Sequence, residues 1–256
     1  MMKEKLDALA TVLETMDTLR NQCPWDKKQN IQTLRSLTLE ETYELSDAIL
    51  AESWEKIKEE LGDLLLHIAF YCRIGEEKKQ FSIADVANDL VVKLVERHPH
   101  IYGDVQVNNE QDVKDNWEKI KVKNGDKSTL GGVPDSLPSM IKAIRIQDKA
   151  KGVGFDWDHK EQVWDKTREE LEEFKKEIDT KWKRQENVES EFGDILFSLI
   201  NLARFYQINP DDALEKTNRK FIARFNKMEI AVKKENKSLD QMPLVEMEEY
   251  WQKAKK

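Results

Sequence analysis

Pairs of acidic residues spaced three positions apart are the feature of this 256-residue chain that most clearly could bind a ligand or take part in a reaction. Residues three or four apart share one face of a helix, so the carboxylates of each pair point together. Two such pairs on antiparallel helices would supply the hard oxygen ligands that Mg²⁺ or Mn²⁺ prefers. Without a cation, four acids in one pocket would repel one another and raise their own pKa values. The pairs are Glu41 with Glu44, Glu60 with Asp63, Glu170 with Glu173, and Glu191 with Asp194.

Acidic residues are common in this chain, which has 50 Asp and Glu, so a single pair of this kind is more often a solvated helix face. Two observations favour a metal site instead. Glu60 and Glu191 open the most apolar helical segments, and the arrangement occurs in both halves. Gly62 and Gly193 lie inside these motifs, and a helical glycine costs about 1 kcal/mol relative to Ala. They therefore predict close approach of another helix or of a ligand.

The two halves of the chain match each other, which indicates a tandem duplication. ELGDLLLHIAFYCR at 60–73 aligns with EFGDILFSLINLAR at 191–204, and EETYE at 40–44 aligns with EELEE at 169–173. Gly, Pro, Ser and Asp are concentrated between the halves, in KNGDKSTLGGVPDSLP. Helical periodicity elsewhere predicts an all-α protein with two helical-bundle domains. We expect domains at 1–122 and 139–256, joined by a linker at 123–138.

Basic and aromatic residues recur in the same way. Lys93 and Arg97 correspond to Lys220 and Arg224, and Trp117 with Lys121 corresponds to Trp251 with Lys255. A Lys/Arg pair four residues apart could bind phosphate oxygens together. A Trp ring could stack on a base while a neighbouring Lys ammonium binds a phosphate. An exposed helix face, or a Trp that anchors the last helix, fits these residues as well. RHPHIYGD at 97–104 predicts a break after the helix of the first half.

Composition excludes several classes of function. The net charge of −8 and the pI of about 5.3 argue against binding nucleic acid, whose phosphates are held by clustered Lys and Arg. The apolar stretches are too short for a membrane span. Cys23 and Cys72 form no disulfide framework or metal motif, which favours a reducing cytoplasm. Phosphate loops, dinucleotide-binding glycine motifs and serine-hydrolase motifs are missing from the sequence. Ser198 stands where the first half has His67, which argues against a di-iron centre.

These motifs together resemble the MazG-type nucleoside triphosphate pyrophosphohydrolases. The carboxylate motifs are similar to the signature of that all-α family, and the tandem arrangement is similar to the two-domain members. Further likeness lies in CPWD at 23–26, RHPHIYGD at 97–104, GGVPDSLP at 131–138 and VGFDW at 153–157. The likeness covers nearly the whole chain.

The resemblance implies hydrolysis of NTPs and dNTPs to the monophosphate and pyrophosphate, as a step in nucleotide-pool housecleaning. It implies Mg²⁺, for which Mn²⁺ is an expected substitute, and a homodimer. The C-terminal domain is the expected catalytic one, with Glu170, Glu173, Glu191 and Asp194 as metal ligands, and Glu41, Glu44, Glu60 and Asp63 are a second candidate set. The implied nucleotide contacts are Lys166, Arg168, Glu169, Lys220, Arg224, Trp251 and Lys255.

A different class of function also fits the residues. The acidic clusters would then be surface features of a helical interaction module that binds a partner or a nucleotide without turnover. The base that is preferred, the number of metal ions and the carboxylate that acts as general base are not fixed by the sequence.

Overall fold

The computed structural model describes residues 1–107, 109, 112–113, 116–117, 120, 128–182 and 184–255. The chain divides into two compact units, Met1–Asn109 and Glu110–Lys256, called unit 1 and unit 2 below. The regular secondary structure within the described ranges is helical, and they contain no strand. This confirms the predicted tandem all-α architecture. Lys121 and residues 123–127 of the expected linker lie outside the described residues.

Unit 1 is built on a three-helix core. Its helices are α1 (Met2–Gln22), α2 (Ile31–Leu50), α3 (Trp54–Glu77), α4 (Ile83–Arg97) and α5 (Pro99–Tyr102), with a 3-10 turn at Asp26–Lys28. Asn30 starts α2 by accepting the N–H groups of Gln32 and Thr33 on its side chain. Both α1 and α2 pack on α3.

The core of unit 1 is formed by apolar residues of these three helices. Met16 of α1, Leu34 of α2, and Phe70 and Ile74 of α3 are almost fully buried and in mutual contact. Glu77 near the end of α3 pairs with Arg20 of α1, so the same helices are also joined by an ion pair. The other end of the α2–α3 hairpin carries the acidic residues.

Unit 2 repeats the central hairpin. Over residues 128–182 and 184–255 its helices are α6 (Ser139–Gly152), α7 (Lys160–Asp179), α8 (Gln185–Phe205), α9 (Pro210–Lys234) and α10 (Leu244–Ala254), with a 3-10 turn at Leu239–Gln241. Helices α7 and α8 pack along each other as α2 and α3 do. A second cluster, of Met228, Val232, Met242 and Tyr250, joins α9 to α10.

Two local expectations from the sequence need correction. Glu60 and Glu191 do not open their helices, because α3 begins at Trp54 and α8 at Gln185, so both acids lie in the second turn. Gly62 and Gly193 do not mark close packing of helices within the chain, since an added Cβ at either position would meet no atom within 4 Å.

The helix that follows the hairpin differs between the units. Helix α4 ends at Arg97 and is followed by the short α5, whereas α9 continues beyond Arg224 to Lys234. The break expected from RHPHIYGD is therefore confirmed. None of the described helices is both long and apolar enough to cross a lipid bilayer.

Candidate metal and nucleotide site

The α7–α8 hairpin positions the acidic residues of unit 2 through its buried stripe. Val163, Thr167 and Glu170 are buried on α7 at helical spacing, and Ile195, Ser198 and Leu202 are buried on α8. Thr167 donates its hydroxyl to the Val163 carbonyl at 2.9 Å. Glu170 continues the α7 stripe, and Glu191 lies one turn before Ile195. The apolar contacts of the hairpin thus bring acids of the two helices together.

Three of the four predicted ligands of unit 2 converge. Carboxylate oxygens of Glu170, Glu191 and Asp194 lie within 4.8 Å of one another. Glu170 is buried, Glu191 is half-buried and Asp194 is exposed. Glu173 is exposed and falls outside this set, although its charge acts on Glu191. We call Glu170, Glu191 and Asp194 the unit 2 cluster.

The electrostatics of this cluster favour a cation. Burial raises the pKa of Glu191, and the neighbouring charges of Glu173, Asp194 and Glu170 raise it further. A divalent ion would relieve this repulsion, and an all-oxygen set of carboxylates suits Mg²⁺. The donor chemistry of these residues therefore fits the ion that the sequence implies.

Lys166 supplies positive charge at the buried end of the cluster. Its Nζ lies 2.7 Å from Glu170 Oε1 and 2.9 Å from Glu169 Oε1. These two hydrogen bonds raise the pKa of Lys166 well above its ordinary value. Glu170 is thereby held in one orientation by a charge-assisted contact. Arg168 is directed elsewhere, with its Nη1 2.9 Å from Asp165 Oδ1.

Unit 1 carries an equivalent set on α2 and α3. Carboxylate oxygens of Glu41, Glu60 and Asp63 also lie within 4.8 Å of one another, and these residues are called the unit 1 cluster. Burial, with Asp63 and Glu44 nearby, raises the pKa of Glu41. The pKa of Glu60 is raised by burial and then by the charge of Glu44. Glu44, like Glu173, is exposed and outside the close set.

Comparison with known proteins decides the family. The model of the MazG nucleotide pyrophosphohydrolase domain matches the chain twice, at residues 29–102 and 159–228, which contain the two hairpins. The chain belongs to the MazG family.

Two relatives match along nearly their full length, and a third matches over about half of its own length. The "nucleoside triphosphate pyrophosphohydrolase/pyrophosphatase MazG" of Thermotoga maritima is 40% identical over 259 residues, covering 99% of this chain and 98% of the relative. The "nucleoside triphosphate pyrophosphohydrolase" of Escherichia coli K12 is 37% identical over 256 residues, covering 98% and 97%. The uncharacterized protein YabN of Bacillus subtilis is 45% identical over 238 residues, covering 92% of this chain and 48% of YabN.

The remaining predicted contacts of this MazG chain lie on the last two helices. Lys220 is exposed and Arg224 half-buried on α9, and Lys255 directly follows α10. Trp251 of α10 is half-buried, with its ring centroid 4.9 Å from that of Phe221. The Trp251 ring thus packs against the α9–α10 core, as an anchoring residue would, and the residue as a whole remains partly exposed.

One difference between the units was missed from the sequence. Aligning EETYE with EELEE places Leu37 and Leu39 of unit 1 opposite Lys166 and Arg168 of unit 2. The signal for this difference lies within the three residues that precede the matched acidic segments. Unit 2 therefore has two cations shortly before Glu170, of which Lys166 contacts the cluster, where unit 1 has leucines.

Proposed function

We propose that this chain hydrolyses nucleoside triphosphates, ribo and deoxy, to the monophosphate and pyrophosphate in a Mg²⁺-dependent reaction at the unit 2 cluster. The observation that carries the proposal is the convergence of Glu170, Glu191 and Asp194 within 4.8 Å on a MazG-family hairpin. The pyrophosphohydrolase names of the full-length relatives support the same reaction.

The four acids Glu170, Glu173, Glu191 and Asp194 would hold the ion, with Mn²⁺ as an expected substitute. Glu173 would complete the set after a change of rotamer, because its exposed side chain is not fixed by packing. A bound Mg²⁺ would supply positive charge that neutralises the triphosphate and favours attack by water. One carboxylate of the set would accept the proton of the attacking water.

Cations of the chain would bind the phosphates. The Lys166 ammonium contacts Glu170 of the cluster and also Glu169. A small rotation of the side chain would let it leave Glu169 and bind a phosphate oxygen instead. Arg168 and Glu169, which lie between Lys166 and Glu170 in the sequence, would also contact the nucleotide. Lys220 and Arg224 would stabilise the departing pyrophosphate. The partly exposed Trp251 would lie against the base, and Lys255 would contact a phosphate. A stacked Trp accepts any base, which suits a role in nucleotide-pool housecleaning.

Unit 1 would contribute less to this reaction. It keeps a close set of carboxylates at Glu41, Glu60 and Asp63, with Glu44 nearby. Leu37 and Leu39 replace the two cations of unit 2, and the helix with Lys93 and Arg97 ends immediately after Arg97. A triphosphate bound there would have fewer positive partners.

Association into a homodimer is supported by the uncovered apolar surface of the catalytic hairpin. Its large hydrophobic residues stay 37–50% exposed: Trp164, Leu171, Ile178, Phe192, Leu196, Phe197 and Leu199. Large apolar residues that stay exposed on one hairpin are typical of an interaction surface. The proposed location is the cytoplasm, where nucleotide pools reside.

Product analysis separates this proposal from the alternative of a non-catalytic interaction module. The full chain is incubated with ATP or dCTP and Mg²⁺, and pyrophosphate, orthophosphate and nucleotides are quantified separately. We expect the monophosphate and pyrophosphate in equal amounts, with no turnover in EDTA and recovery with Mn²⁺. ADP with orthophosphate would contradict the reaction, and nucleotide binding without products would favour the interaction module.

A further inference from the structure

Gln147 of α6 is a buried polar residue next to the helix that carries two acids of the unit 2 cluster. It is only 6% exposed, and its Nε2 donates to the Phe197 carbonyl of α8 at 2.8 Å. Phe197 follows Asp194 by three residues, so this contact lies one helical turn from the cluster. The other end of the amide, Oε1, is buried and has no hydrogen-bond partner among the described residues.

Unit 1 has apolar residues at the corresponding positions. The alignment of 60–73 with 191–204 puts Phe70 opposite Asn201, and the same spacing puts Met16 opposite Gln147. Met16 and Phe70 belong to the apolar core of unit 1. A buried polar atom without a partner costs stability, whereas a buried apolar side chain contributes to it. Stability therefore does not explain a glutamine at this position of unit 2.

Asn201 takes part in a second polar contact of α8. Its Oδ1 accepts Nη2 of Arg204 at 2.7 Å, and Arg204 Nη1 donates to Asp156 Oδ2 at 2.8 Å. Asp156 lies in the loop between α6 and α7. Hydrogen bonds thus connect α8 both to α6 and to this loop, in addition to the apolar contacts that α8 makes with α7.

The direction of the acids depends on the rotation of α8 about its own axis. The apolar contacts of Ile195 and Leu202 are not directional, so they tolerate small rotations. Carboxylate oxygens lie roughly 6 Å from a helix axis, so a rotation of about 20° would move those of α8 by about 2 Å. Such a shift would disrupt a cluster whose oxygens lie within 4.8 Å of one another. A hydrogen bond from α6 to an α8 carbonyl restricts the rotation, because it weakens steeply away from its preferred angle.

We infer that Gln147 is a positioning residue of unit 2: its bond to the Phe197 carbonyl fixes the rotation of α8 at which the acids of this helix converge with Glu170. The inference rests on the function proposed above for the unit 2 cluster. It concerns the direction of the acids and assigns Gln147 no contact with the nucleotide.

Gln147→Met tests this role, because methionine has a similar length and is the residue of unit 1 but donates no hydrogen bond. We expect kcat for ATP hydrolysis with Mg²⁺ to fall about tenfold, as when residues that orient metal ligands are replaced. KM should stay unchanged, since the cations proposed to bind the phosphates are kept. The midpoint of urea unfolding should stay the same or rise, because a buried unpaired oxygen is removed. Loss of a purely structural residue would lower that midpoint instead.

Lys149→Met is the matched control on the same helix. Lys149 is also buried, at 4% exposed, and its ammonium donates to the Thr129 carbonyl at 3.2 Å, outside α8. We expect its replacement to lower the urea midpoint and to leave kcat unchanged. Gln147→Leu repeats the test with a second side chain that has no donor.

Titration with Mn²⁺ gives a readout that does not depend on turnover. The full chain with Glu60→Gln and Asp63→Asn leaves the unit 2 cluster as the set under study, and Gln147→Met should weaken Mn²⁺ binding to it about tenfold. If the unsubstituted chain released no pyrophosphate, the proposed function would fail, and the Mn²⁺ titration would still decide the role of Gln147. Unchanged Mn²⁺ affinity in Gln147→Met and Gln147→Leu, or an equal loss in Lys149→Met, would overturn the inference.

Discussion

At the scale of single residues, Lys166 distinguishes the proposed catalytic cluster from its copy in unit 1. Its ammonium contacts both Glu169 and Glu170, so it compensates negative charge where the cluster is most buried. Leu37 occupies the equivalent position in unit 1 and offers no charge. We therefore expect the two clusters to differ in phosphate binding at this position.

Replacement of Lys166 by the residue of unit 1 is the direct test of that role. We expect Lys166→Leu to raise the KM for ATP about tenfold, equivalent to about 1.4 kcal/mol of lost binding, because a cation next to the phosphates is removed. Steady-state kinetics with Mg²⁺ checks this. Lys175→Leu, an exposed position of α7, is the matched control and should leave KM unchanged. Equal effects of the two variants would argue against a specific contact of Lys166.

Much of the site could be predicted from residue spacing, and the remainder depends on how the helices pack. Helical periodicity alone places Glu60 with Asp63 and Glu191 with Asp194, and the duplication shows that these acids recur. Which acid of α7 enters the close set depends on the rotation of α7 against α8, which spacing does not determine. Glu170 enters it because it continues the buried stripe, whereas Glu173 faces solvent. The same rotation decides between Glu41 and Glu44.

At the scale of helices, the glycines in the carboxylate motifs are helical positions with open space around them. The sequence suggested close approach by a helix or a ligand, and the chain itself supplies no neighbouring atom within 4 Å of an added Cβ. We propose that Gly193, which is exposed between Glu191 and Asp194, leaves room for the nucleotide.

Gly193→Ala should separate stability from turnover. We expect the free energy of unfolding to rise by about 1 kcal/mol, since Ala favours the helix and meets no clash, while kcat/KM for ATP falls. Urea unfolding and steady-state kinetics measure the two effects. Gly62→Ala is the matched control: it should stabilise the fold similarly and leave kcat/KM unchanged. Destabilisation by both variants would show that the helix surfaces around Gly62 and Gly193 pack against another subunit in the assembled protein.

The contact between α1 and α3 gives unit 1 a pH-dependent contribution to stability. Arg20 donates Nε and Nη2 to the two carboxylate oxygens of Glu77, each at 2.9 Å. This hydrogen bonding lowers the pKa of Glu77 below its ordinary value. The stabilisation is therefore present above the unfolded pKa of about 4.3 and is lost as the pH falls through the lower folded pKa.

Glu77→Gln should lower the free energy of unfolding by about 1 kcal/mol at neutral pH, a value limited by solvent screening of the half-exposed carboxylate. The difference from the unsubstituted protein should shrink as the pH is lowered from 5 to 3, which urea titrations at several pH values can measure. Glu76→Gln is the control, since Glu76 has only a 3.7 Å contact with Arg73. A difference that stays constant with pH would show that the loss is one of packing.

At the scale of the whole molecule, duplication has produced two hairpins with similar carboxylate sets and different surroundings. The architecture and the family could be predicted from internal matching, since helical periodicity and repeated motifs extend over both halves. The proposed difference in function could not be predicted from the acids, which are of the same types in both units. We expect it to arise from Leu37 and Leu39 opposite Lys166 and Arg168, and from the early end of α4.

Pyrophosphate release by matched variants tests the central claim most directly. The full chain with Glu191→Gln and Asp194→Asn is compared with the full chain carrying Glu60→Gln and Asp63→Asn, after circular dichroism has shown that both are folded. With ATP and Mg²⁺, we expect the unit 2 variant to lose at least about a hundredfold in kcat, the order found when a group that stabilises the transition state is removed, and the unit 1 variant to keep most of its turnover. Near-normal pyrophosphate release by the unit 2 variant, with inactivity of the unit 1 variant, would contradict the assignment.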